Sequence, residues 1–205
     1  MIVHKILNEI FSTYSNIAVL RALQDNRKGI SGREISKKAG LSAPSCLQAL
    51  SKLEKLNLVR RQKGGRDHLF TLNQDSVILN DAVLPLLEFE RNLLNKILSE
   101  IKKSLSNKSL SLILFGSVAR SEETYESDFD VAIIVKESVD KEKLEDKLTN
   151  LILNVNKRFG IKLSTVLFSQ KEFAKRKKKN LPPINNISND GIVFSGLSIR
   201  KLLDA

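Results

Sequence analysis

The sequence predicts an α+β protein of two domains joined by a long helix. Three observations carry this. Apolar residues recur at helical spacing through residues 6–56 and then give way to two short strand-like runs around Gly64-Gly65. A long amphipathic stretch follows at residues 84–105. Beyond it, apolar runs at 110–115, 131–135 and 161–167 suit buried strands, with one amphipathic segment at 141–159 between the second and third. The expected limits are residues 1–80 for the first domain, 81–107 for a connecting helix and 108–205 for a mixed sheet with flanking helices.

Taken in order, Ile6, Ile10, Ile17, Leu20 and Leu23 open the helical pattern, and Asn26 to Gly29 break it. Ser31 with Glu34 three residues on is a capping-box signature, and Gly40 stops that helix. Ser42 caps the next, Pro44 fits its first turn, and Leu47, Leu50, Leu53 and Leu56 supply its apolar stripe. Strands follow at Leu58 to Gln62 and His68 to Leu72, with Gly64-Gly65 able to take the positive φ of a tight hairpin. Pro85 lies in the first turn of the long helix, where Leu87, Leu94, Ile97, Leu98 and Ile101 recur. Leu144, Leu148, Leu151, Ile152 and Val155 mark the helix that Gly160 ends. Pro182-Pro183 ends another helix, and Asp190 to Gly196 reads as a turn and short strand before a last helix at Ile199, Leu202 and Leu203.

Composition narrows the function classes. No run of eighteen apolar residues exists, so no membrane span is expected, and residues 1–11 lack the pattern of a signal peptide. One cysteine, Cys46, excludes an intramolecular disulfide; it reads as a buried structural thiol. The expected compartment is the cytoplasm. The net charge of +11 points to a polyanionic partner. The excess is concentrated early, with 13 Lys and Arg against 6 Asp and Glu in residues 1–80.

The order helix, helix, turn, helix, hairpin over residues 3–75 resembles a winged helix-turn-helix domain. The residues that carry it are Ile30 to Ser36, Gly40-Leu41-Ser42, Leu47 to Leu53 and Leu58 to Arg61. The resemblance implies DNA as a partner, with the second helix of the motif in the major groove. On that helix Ser45, Gln48 and Lys52 are expected opposite the leucine stripe, facing bases or phosphates. On the hairpin Arg60, Arg61, Lys63 and Arg66 are expected to meet phosphate backbone or a minor groove. His68 beside them is a packing or phosphate-facing residue. Winged regulators commonly bind two half-sites, so a homodimer is expected to be possible.

The second motif is Leu114-Phe115-Gly116-Ser117-Val118-Ala119-Arg120, followed by Ser127-Asp128-Phe129-Asp130-Val131. Gly116 would let backbone approach a phosphate, and Ser117 would offer a hydroxyl and an N–H at a helix start. Asp128 and Asp130, two apart on a strand, would project from one face and together hold Mg²⁺. This pattern resembles the minimal nucleotidyltransferase domains of the DNA polymerase β superfamily. The resemblance implies Mg²⁺ and a nucleoside triphosphate, with Asp128 and Asp130 as catalytic metal ligands and Gly116, Ser117 and Arg120 as nucleotide-binding residues; a salt bridge to Glu122 or Glu123 is the other reading of Arg120. It also implies that a small helical toxin-like protein is a possible partner.

Two departures matter. Ser121 stands where many members have glycine. Active members also carry a third acid on the strand matching Ile161 to Leu167, and here Lys162, Ser164 and Val166 hold the outward positions. Three functions stay open: transfer of a nucleoside monophosphate to a hydroxyl, a catalytically inactive regulator that senses nucleotide or assembles through this domain, and an antitoxin-like partner. The run Lys175 to Lys179 reads either as a solvated face or as a phosphate-binding patch.

Overall fold

The computed structural model describes residues 4–65 and 67–203. The chain divides into two compact units, Met1–Asn92 and Leu93–Ala205. The division falls within one continuous helix, so the early turns of that helix serve the first core and its later turns the second. Among the described residues, no helix is long and apolar enough to cross a membrane.

The first unit begins with α1 (Ile6–Ile10) and α2 (Tyr14–Gln24). The expected single helical run is broken here because Thr13 caps α2, its hydroxyl accepting from the Asn16 amide N–H. Asn16 is buried, and its side-chain amide donates to the Glu9 and Ile10 carbonyls that end α1. A buried polar group is thus matched to otherwise open helix-end acceptors. Strand β1 (Ile30–Ser31) leads into α3 (Gly32–Ala39), whose Ser31–Glu34 capping box and Gly40 stop are both present. Ser42 caps α4 (Ala43–Lys55).

Strands β2 (Val59–Gly64) and β3 (Asp67–Leu72) form the antiparallel hairpin, with Gly64 opposite Asp67 and Gly65 at φ +58°. Strand β1 pairs on the other side of β3, which the sequence reading missed because two residues show no periodicity. The core joins Val19, Leu20 and Leu23 of α2, Ile35 of α3, Cys46, Leu50 and Leu53 of α4, and Phe70 and Leu72 of the hairpin. A π-helical turn (Leu79–Val83) precedes α5 (Leu84–Leu105).

The second unit is a four-stranded mixed sheet between helices. Its order is β6-β5-β4-β7, from β4 (Ser111–Phe115), β5 (Phe129–Val135), β6 (Leu163–Ser169) and β7 (Ile192–Gly196). The β5–β6 pair is parallel, and the crossover between them is α7 (Lys141–Phe159). One face packs Leu112, Leu114, Val131, Ile133 and Leu163 against Ile97, Ile101 and Leu105 of α5 and Leu144, Leu148 and Val155 of α7. The other packs Ile113, Phe115, Ala132, Ile134 and Phe168 against α8 (Gln170–Lys178), α9 (Ile184–Asp190) and α10 (Ile199–Leu203). A sheet covered on both faces explains why β4 and β5 read as unbroken apolar runs. The alternation of β5 puts Asp130 on the α8–α10 side of the sheet.

Candidate functional site

Strand β4 ends at Phe115, directly opposite Asp130, and the chain then turns sharply through Gly116. Gly116 has φ +77°, and a Cβ on it would run into the Asp130 carboxylate. Only glycine meets both demands. The following helix α6 (Gly116–Ala119) is a single turn. Ser117 is its second residue, and its carbonyl accepts from the Arg120 and Glu122 N–H groups.

Strand β6 runs parallel to β5 with Ser164 opposite Asp130 and Leu163 opposite Phe129. Leu163 points into the α7 core, so Lys162 and Ser164 share the face of Asp128 and Asp130. The Lys162 ammonium lies 2.9 Å from Asp128 Oδ1 and 3.2 Å from Oδ2. This contact, and the charge of Asp128, raise the Lys162 pKa. Asp130 is held above the usual carboxylate range, first by burial and then by the nearby Asp128 charge; a hydrogen bond from the Ser164 hydroxyl acts in the opposite direction. Two carboxylates of one sign, one paired with a cation and one half-buried, form an unequal pair.

Arg120 is directed elsewhere. Its Nε donates to Glu122 at 2.7 Å and its guanidinium reaches Asp190 at 3.4 Å. Gly116, Ser117, Asp128 and Asp130 therefore lie together, and Arg120 is engaged at the edge by two acids. Lys162 and Ser164 complete the constellation. Their positions follow from the two-residue period of a strand, so this part was legible in advance.

In the first unit the structure redistributes the expected DNA-facing residues. The buried side of α4 is Cys46, Ala49, Leu50 and Leu53, spaced for one helical stripe. Leu47 is 56% exposed. The open side consists of Pro44, Leu47, Gln48, Ser51 and Lys55. Ser45 sits at the first turn, where its N–H and hydroxyl both engage Ser42. Lys52 is tied to Glu9 at 2.9 Å and to the Ser12 hydroxyl at 2.9 Å. Arg60 pairs with Asp75 and Arg61 with Glu54. Gln48 and Lys63 face solvent, and Arg66 lies outside the described residues. Exposed ion pairs of this kind contribute about 0–1 kcal/mol, so phosphate can compete for those arginines. The sequence signal for the correct stripe was Cys46 with Ala49, small residues that counting leucines passes over. An open groove of about 620 Å³ lies beside this face, lined by Gly32, Arg33, Leu47, Arg61, His68 and Phe70 among others. Cys46 is buried, donates to the Gly32 carbonyl and has its pKa raised by burial, as a structural thiol would.

Residues 94–184 match the family model described as a nucleotidyltransferase domain, and residues 13–60 match that of a winged helix-turn-helix DNA-binding domain. The chain thus carries one segment similar to a nucleotidyltransferase domain and another similar to a winged helix-turn-helix. A relative in Methanocaldococcus jannaschii, named "Putative protein adenylyltransferase", is 30% identical over 87 residues. That match covers 40% of this chain and 57% of the relative, so the chain spans little more than half of it. Among solved structures, a predicted DNA-binding transcriptional regulator from E. coli is 23% identical with a TM-score of 0.36, covering 43% of this chain and 85% of that one. A toxin-antitoxin structure with AMP-PNP is 15% identical with a TM-score of 0.37, covering 52% and 81%.

Among the described residues no group of three or more His, Cys, Asp or Glu is placed to hold an ion. Asp128 and Asp130 are two hard oxygen donors. Mg²⁺ binds through one or two carboxylates plus waters and substrate phosphates, so the pair suits one Mg²⁺ arriving with a polyphosphate. Among the described residues, the positions beside these two acids are held by Ser164 on β6 and Lys162 just before it.

Proposed function

We propose that this protein is a DNA-binding regulator whose nucleotidyltransferase domain binds a nucleoside triphosphate with one Mg²⁺. The observation that carries the nucleotide reading is the meeting of Gly116 with Asp130 at the mouth of β4 and β5. A turn without a side chain lets backbone and polyphosphate come close, and the two carboxylates beside it supply the metal contact. When bound, Mg²⁺ would supply charge neutralisation of the phosphates. Asp128 and Asp130 would hold it, Gly116 and Ser117 would border the phosphates, and Ser164 would steady Asp130. DNA binding rests on the winged helix-turn-helix and on the open face of α4 with Lys63 on the hairpin.

Titrating nucleoside triphosphate with and without Mg²⁺, on wild type and on Asp128→Asn plus Asp130→Asn, tests the proposal. Mg²⁺-dependent binding that the double variant loses is the expected result. Equal binding by both proteins would overturn it.

A second reading is transfer of a nucleoside monophosphate to a protein hydroxyl, favoured by the similarity to the archaeal relative. The acceptor oxygen would bond to the α-phosphorus, the α–β phosphoanhydride would break, pyrophosphate would leave, and the hydroxyl proton would pass to solvent. Labelled ATP, GTP, CTP and UTP with candidate acceptor proteins, including this one, separate the readings. Transfer that depends on Asp128 would favour the second.

A further inference from the structure

The two acids of the site do not meet the same surroundings. Asp130 is half-buried against Gly116 and takes a hydroxyl donor from Ser164. Asp128 already has a cation, with both of its oxygens within 3.2 Å of one ammonium. That ammonium comes from the residue just before β6, two residues before the position opposite Asp130. An ammonium has three N–H donors, and the hydrogen bond to Asp128 Oδ2 uses one of them. The Lys162 side chain is 79% exposed, so its head group stays open to a ligand approaching the acids from solvent. A polyphosphate whose Mg²⁺ is held by the two acids would meet a positive charge beside Asp128, on the same face.

We propose that Lys162 is a nucleotide-binding residue, a built-in cation that neutralises Asp128 and donates to the phosphates of the bound nucleotide where a second metal ion would otherwise serve. This rests on the reading of Asp128 and Asp130 as a nucleotide site. It accounts together for the missing third carboxylate and for a lysine placed on the Asp128 face. It makes the site a one-metal site, whose remaining charge requirement is met by the chain itself.

The full-length protein is titrated with Mn²⁺ in the presence of inorganic tripolyphosphate, a probe that needs no base preference. Bound Mn²⁺ is counted by paramagnetic resonance and polyphosphate affinity is measured by calorimetry. Wild type is expected to bind one Mn²⁺ per chain. Lys162→Met should weaken tripolyphosphate binding about tenfold, the scale of one charge-assisted hydrogen bond. Lys162→Arg should restore most of it, and Lys162→Asp should raise the count to two. Two Mn²⁺ on wild type would overturn the proposal, and so would unchanged or tighter binding by Lys162→Met, since Lys162 would then only screen Asp128. Absence of both Mn²⁺ and tripolyphosphate binding in wild type would instead remove the underlying nucleotide reading. Lys162 is exposed, and circular dichroism of each variant checks its fold.

Discussion

Gly116 and Asp130 are packed so closely that no side chain fits between them: a Cβ on Gly116 would strike the Asp130 carboxylate. The backbone there also has φ +77°, a region that costs an L-residue about 1–2 kcal/mol. Gly116→Ala is therefore expected to lose about 2 kcal/mol or more of stability, from backbone strain and overpacking together. It should also displace Asp130 and abolish Mg²⁺-dependent nucleotide binding. Thermal unfolding and nucleotide titration of the variant check both effects. Full stability with intact binding would show that the turn relaxes freely.

Ser121 gives the opposite prediction. It closes the turn after α6 at φ +57°, in the left-handed region that glycine takes most easily. The serine thus carries strain that glycine would relieve, set against the added unfolded-chain entropy of glycine, about 0.5–1 kcal/mol. Ser121→Gly is expected to stabilise the second unit by up to about 1 kcal/mol. Chemical denaturation at constant slope measures it. A clear loss of stability would mean that the serine side chain makes a contact worth more than the strain.

In the first unit, Arg21 grips both oxygens of Glu90 at 2.6 Å. The hydrogen bond from Arg21 holds the Glu90 carboxyl below its ordinary value of 4.5. A depressed acid stabilises the folded state above its unfolded pKa, and that stability is lost as pH falls through the folded pKa. The contribution is therefore complete near neutrality and declines below pH 4.5. Both side chains are about half exposed, at 42% and 50%, so solvent screening limits it to roughly 0–1 kcal/mol. Glu90→Gln should flatten the acid limb of the stability curve of this unit, with its cost largest near neutrality and vanishing once pH has fallen below the lowered pKa of the carboxyl. An unchanged curve would refute the assignment.

How much of this was legible in the sequence depends on the strength of the local signal. The Ser31–Glu34 capping box, the hairpin, α5 and α7 announce themselves through caps and long periodic stretches. Asp128, Asp130, Lys162 and Ser164 fall on one face because strands alternate, which needs only the register that the apolar residues set. Strand β1 was hidden because its two residues pair only through the tertiary fold. The α1–α2 break was hidden because the decisive group, the buried Asn16 amide, looks like any polar residue until its carbonyl partners are placed. The engagement of Arg120, Arg61 and Arg60 by acids is equally non-local in part: Asp190 lies seventy residues from Arg120. Helix α4 is the instructive error. Four leucines suggested one stripe, but 47 and 50 are three apart and the buried arc is centred on Cys46, Ala49, Leu50 and Leu53.

That rotation of α4 changes which residues should read DNA. Gln48 lies on the open face and can pair with an adenine edge, while Leu47 beside it can meet a thymine methyl. Lys52 is turned toward α1 and held by Glu9 and Ser12. On a duplex enriched from a random library, Gln48→Ala is expected to lower specific affinity by about 1–3 kcal/mol and to relax one base position. Leu47→Ala should act in the same direction, and replacing thymine with uracil in the duplex should reproduce its effect. Lys63→Ala should weaken all sequences alike and reduce the salt slope by about one phosphate contact. Lys52→Ala should cost at most about 1 kcal/mol of stability and little DNA affinity. Fluorescence anisotropy across a salt series distinguishes these outcomes. If Lys52→Ala weakened specific binding more than Gln48→Ala, the groove-facing side of α4 would have to be the Ser45–Lys52 side instead.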